Sequence, residues 1–93
     1  MDNRITKEKI IKYRTLTKNA LEKAKKSVIK GKEPHAREII EMVENYLSDA
    51  GHFEKKRDFV NCFAALNYSH GWLDAGVRLD VFDVKDNELF TIK

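Results

Sequence analysis

Cysteine, proline, tryptophan and glycine are all scarce in this chain of 93 residues: one Cys, one Pro, one Trp and four Gly. A single cysteine, Cys62, cannot close an internal disulfide, and its place in an apolar segment reads as a small buried hydrophobe rather than a reactive thiol. The longest apolar run, Cys62 to Leu66, falls far short of the roughly 20 residues that cross a bilayer, so no membrane span is expected. Met1-Asp2-Asn3-Arg4 leads into charged sequence without an apolar leader, which points to a cytoplasmic setting. The glycines are scattered, so there is no phosphate-cradling loop. His35, His52 and His70 show no HxxxH or ExxH spacing. Only His70 and Asp74 stand one helical turn apart, two ligands where a zinc site needs three or four, so neither a metal nor a cofactor is expected. Ser69 follows no base it can use, because adjacent helical residues diverge by about 100° and it points away from His70. No catalytic residue is assigned, and the protein reads as a non-enzyme.

What is present describes a small helical protein. Hydrophobic residues make up 42% and charged residues 35% of the chain, a mixture too apolar for intrinsic disorder. A chain of this length forms one domain and buries roughly 60 to 65% of its unfolded surface, enough for a modest core. Three apolar stripes at steps of three and four residues predict helices over about 6–30, 34–55 and 58–79. In the first, Thr6 is the N-cap, and Ile10, Tyr13, Thr17, Ala20, Ala24 and Val28 share a face. Gly31 suits a left-handed helix end and Pro34 the first turn of the next helix. In the second, Ala36, Ile39, Ile40, Val43, Tyr46, Leu47, Ala50 and Phe53 form the stripe, which passes through Gly51 as an interior glycine. Asp58 caps the third helix after a turn at Lys55-Lys56-Arg57. The expected fold is an all-α antiparallel three-helix bundle, single-domain, with a short irregular or extended tail over 80–93. That tail is ordered if Phe82 or Phe90 packs on the bundle, and Asp86-Asn87 reads as a turn between extended pieces.

The third helix is apolar on most of its circumference. Phe59, Leu66, Leu73 and Val77 gather on one side and Tyr68, Trp72, Ala75 and Leu79 on another, so it is expected to have two neighbours, approached closely at Ala65, Ser69, Gly71, Ala75 and Gly76. The segment Phe63-Ala64-Ala65-Leu66-Asn67-Tyr68-Ser69-His70-Gly71-Trp72-Leu73-Asp74-Ala75-Gly76-Val77-Arg78-Leu79, preceded by Tyr46-Leu47-Ser48-Asp49-Ala50 and Phe53, resembles the family of short archaeal proteins known as domain of unknown function 357. The resemblance implies a compact three-helix bundle and brings no activity, cofactor or catalytic residue. Two departures mark this chain. Arg57 precedes Asp58 where the family pattern has a glycine, and Leu79-Asp80-Val81-Phe82 stands for a usual Leu-Gly-Leu-Phe.

Two surfaces are candidates for function. Asn67, His70, Gly71, Asp74 and Arg78 lie on one narrow arc, where His70–Asp74 and Asp74–Arg78 are i,i+4 pairs. The plain reading is a solvated stripe, and the functional one a partner site with Arg78 gripping an anion. Tyr68, Trp72 and Leu79 are expected to be ordinary core, or alternatively a surface for another protein or for self-association. Charge is also uneven. Residues 1–32 hold eleven basic and three acidic residues, a balance of +8, whereas residues 33–93 hold seven and twelve, a balance of −5. Lys7, Lys18 and Lys25 on the outward side of the first helix are candidate nucleic-acid contacts, unless they are solvated or paired with the acidic second helix. The expected role is therefore a protein-binding or assembly module, with weak sequence-independent nucleic-acid binding as the alternative.

Overall fold

A computed structural model of the protein describes residues 4–85 and contains three helices, α1 (Lys7–Lys25), α2 (Glu33–Lys55) and α3 (Phe59–Arg78). They form the all-α three-helix bundle that the periodicity predicts. Local chemistry sets the ends. The Thr6 hydroxyl accepts the Lys9 N–H at 3.2 Å, and the Asp58 carboxylate accepts the Asn61 N–H at 3.2 Å, each satisfying an orphan donor of a first turn. Between α1 and α2, Gly31 has φ +92° and gives its N–H to the Glu33 carboxylate at 3.0 Å. Pro34 occupies the first turn of α2, and Gly51 lies inside that helix.

Helix α1 stops at Lys25, earlier than the expected Lys30. The Ser27 hydroxyl donates to the Lys23 carbonyl at 2.8 Å, and the chain then straightens to meet the tail. Ile29 donates to the Val81 carbonyl at 2.9 Å and Asp83 to the Ser27 carbonyl at 2.8 Å, around an isolated antiparallel bridge between Val28 and Phe82. The β-branched pair Val28-Ile29 gives up little by leaving a helix. The pairing straps residues 81–83 to the bundle and drives Phe82 into the core, 1% exposed. The expected Asp86-Asn87 turn, with Leu89, Phe90 and Thr91, lies outside the described residues.

Helix α3 packs against both other helices, most extensively against α2, while α1 and α2 touch each other least. One cluster of buried side chains centres on Val43, Leu73, Val77 and Phe82, the other on Ile10, Ala50, Cys62 and Leu66. Small residues on α3 bring α2 close: Ala65, Ser69 and Gly76 are all buried, and the Ser69 hydroxyl donates to the Val43 carbonyl at 3.1 Å. Gly76 has a steric duty, because a Cβ there would stand 2.4 Å from the Phe82 ring and 3.2 Å from Ile39. Arg14 of α1 pairs with Glu54 of α2 across the gap between those helices.

Among the described residues two non-glycine residues take the left-handed backbone, Arg57 at φ 58° and Asp80 at φ 61°. These are the two positions where the chain departs from a glycine in the family pattern. A left-handed L-residue costs about 1–2 kcal/mol, less for Asp, and a glycine avoids it at an entropic cost of about 0.5–1 kcal/mol. Arg57→Gly relieves this strain but gives up the guanidinium stacked 5.6 Å from the centroid of the Phe59 ring, a contact worth about 0.5–1 kcal/mol. It is therefore expected to raise the midpoint in urea in a Phe59→Leu background and to leave it nearly unchanged in the wild type; a lowered midpoint in the Phe59→Leu background would contradict it. Gly76→Ala is expected to destabilise by about 1–3 kcal/mol, because the Phe82 ring is enclosed and cannot yield freely. Chemical denaturation measures this, and a neutral result would mean that the tail does not seat on Gly76.

Candidate interaction face

The two sides of α3 that meet its neighbours account for about half of its circumference. The rest faces outward. Val60, Asn61, Asn67, Tyr68, Gly71, Trp72 and Arg78 are exposed, Ala64 and Ala75 are half-buried, and Leu79 follows at the C-cap. At about 100° per residue these positions fall within one arc. Tyr68, Trp72 and Leu79, expected as core, are 62%, 39% and 69% exposed. The reason is geometric, since a helix with two neighbours cannot bury an apolar surface that extends around most of it. Gly71 and Ala75, expected to admit a neighbouring helix of the bundle, also lie on this outward arc. A Cβ on Gly71 would meet nothing within 4 Å.

In a chain that is 35% charged, Arg78 is the one charge among the exposed residues of the outward arc of α3, with the half-buried Asp74 at its edge. Trp72 stands between two shallow depressions. One, about 350 Å³, lies over Asn67, Tyr68, Gly71 and Ala75. The other, about 340 Å³, is shared with Lys32 at the start of α2, with His35, Glu38 and Ile39 of that helix, and with Leu79 and Val81. The Tyr68 ring is steadied by Tyr46 of α2, with centroids 5.5 Å apart and planes inclined at 31°.

The predicted polar arc divides. His70 and Asp74 are half-buried at the margin of the seam with α1. His70 Nδ1 lies 3.4 Å from the Thr17 hydroxyl, and its Nε2 is 3.8 Å from the Asp74 carboxylate. His70 thus meets α1 through Thr17 and Asp74 lies beside His70, whereas Asn67 and Arg78 are exposed on the same outward arc as Tyr68 and Trp72. Among the described residues no group of three His, Cys, Asp or Glu side chains could hold a metal ion. Burial pushes the Cys62 thiol above its ordinary range, against a smaller opposing pull from Arg14.

The lysines of α1 also separate. Lys25 is engaged by Glu44 at 3.1 Å and approached by Glu22 at 3.9 Å. Lys7 and Lys18 instead open on a cleft of about 620 Å³ between α1 and α2, together with Arg14, Lys55 and Arg57. Gly51 lines this cleft, and a Cβ on it would meet nothing within 4 Å. Sequence reasoning missed Lys55 and Arg57 as members of this basic group. The interior glycine was the available signal.

Fold and geometry together define a small three-helix protein whose third helix keeps an apolar, charge-poor face uncovered. The chain belongs to DUF357, a family of proteins of unknown function, whose model matches residues 12–82. No curated protein and no solved structure matches the chain. Among the described residues no helix is long and apolar enough to cross a membrane.

Proposed function

We propose that this protein is a binding or assembly module rather than an enzyme, and that it acts in the cytoplasm by docking another protein chain on the outward face of α3. The observation that carries this reading is the combination of Tyr68 and Trp72 exposed side by side with Arg78 as the one charge among the exposed residues of the arc. Interface cores are depleted in charge and enriched in aromatic residues and arginine, and Arg78 at the rim fits that composition. Gly71 supports it from another direction. A glycine inside a helix costs about 1 kcal/mol relative to alanine, and nothing within the monomer requires one there. A partner side chain entering the gap gives it a purpose.

A photo-crosslinking residue placed at position 68 or 72 in cells is expected to yield covalent adducts, with none from the same residue at Lys12 on the exposed side of α1. Absence of adducts from both α3 positions would overturn the module reading.

The basic cleft favours a second role, weak sequence-independent binding of nucleic acid. Lys7 and Lys18 are supported there by Lys55 and Arg57 instead of the engaged Lys25. Binding of this kind releases counterions and weakens steeply with salt. A fluorescent single-stranded oligonucleotide titrated at two salt concentrations should bind only in the lower, and Lys18→Glu should abolish that binding. No binding at low salt removes this role.

A further inference from the structure

We propose that the occupant of the α3 face is a second copy of this chain, docked antiparallel across a two-fold axis that crosses the outward side of α3 at the level midway between residues 69 and 70. The inference rests on the module reading above and names its partner. Its basis is the order of side chains along the arc. An isologous antiparallel helix pair sets each residue opposite the one equally far from the axis on the other side. With the axis level midway between residues 69 and 70, Ala64 meets Ala75 and Tyr68 meets Gly71 along the centre of the contact, while Val60, Asn61, Arg78 and Leu79 gather at its two ends and Asn67 and Trp72 flank it on opposite edges.

That outward positions pair at all follows from the helical repeat. What the repeat does not dictate is their chemistry, and the two central pairs are complementary. The aliphatic Val60 and Leu79, both more than two-thirds exposed, close the two ends of the contact. Ala64 and Ala75 are small opposite small, which permits close approach of the backbones. Tyr68 falls over Gly71, where open space exists in front of the missing Cβ. The two Arg78 side chains stand about 25 Å apart along the axis at 1.5 Å per residue, beyond the reach of appreciable repulsion in salt. A parallel pair would instead set Arg78 beside Arg78 and leave every Gly71 gap facing another gap.

Gly71→Leu separates association from folding. Since nothing in the monomer lies within 4 Å of a Cβ at this position, the variant should fold with a melting temperature equal to or above that of the wild type in dilute solution. The leucine would nevertheless occupy the space of the partner's Tyr68. By sedimentation velocity over a concentration series the wild type should reach twice the monomer mass, and Gly71→Leu should weaken dimerisation at least tenfold. Direction is read by oxidising Ala64→Cys and Ala75→Cys variants separately and mixed. Disulfide-linked dimers are expected in the mixture and not in either variant alone, with wild type as the control because Cys62 is fully buried.

A wild type that stays monomeric at every concentration, or like-with-like disulfides in place of mixed ones, overturns the proposal. If the chain is monomeric but crosslinks from position 72 to a protein of another mass, the face is a docking site and only its occupant has been misassigned. If neither mass appears, the module reading fails as well.

Discussion

The packing of α3 between two helices is the constraint on which the rest of the structure depends. Ala65, Ser69 and Gly76 admit α2, with Ser69 bonded to the Val43 carbonyl, while Leu66, Leu73 and Val77 fill the core towards α1 and α2. Because both neighbours are committed to α3, they touch each other least. The gap between them becomes the basic cleft, bridged by the Arg14–Glu54 pair. The side of α3 turned away from both becomes the uncovered apolar face. The two candidate surfaces are thus consequences of one arrangement.

The tail completes that arrangement. Phe82 covers Gly76, and the short pairing of residues 27–29 with 81–83 holds it there. Ending α1 early provides the extended segment for this pairing. The helical hydrogen bonds given up after Lys25 are replaced by bonds to the tail, and burial of a phenylalanine adds roughly 2–3 kcal/mol.

Caps, breaks and the helical repeat were legible in the sequence because they are local. Thr6, Asp58, Pro34 and Gly31 act on the backbone within a few residues of themselves, and the structure uses the first three at or next to their expected places; Gly31 takes the expected left-handed backbone but in the link before α2 rather than at the end of α1, whose C-cap is Lys26. The end of α1 was not legible, since its cause is a strand-like contact with residues more than fifty positions away. Periodicity groups Tyr68, Trp72, Ala75 and Leu79 on one side of α3, but it does not say whether anything covers that side. Two neighbours fill only part of the circumference, and which part they fill is a matter of tertiary packing. The same holds for the lysines: their number on α1 is plain in the sequence, whereas the engagement of Lys25 by Glu44 and the gathering of Lys7 and Lys18 with Lys55 and Arg57 depend on how α2 lies alongside. The four glycines carried more information than their number suggests. Gly31 and Gly76 are explained by backbone geometry and close packing within the chain, while Gly51 and Gly71 have open space before them and mark the two surfaces.

The account turns on whether the α3 face is open in the isolated chain and covered in the assembled one, and Trp72 reports on that directly because it is the only tryptophan. Its emission maximum and acrylamide quenching, followed over serial dilution, are the measurement to make. The account predicts emission that shifts to the red and becomes readily quenched as the protein is diluted. Blue-shifted, poorly quenched emission that does not change with concentration would contradict it, by placing Trp72 in the core of the monomer.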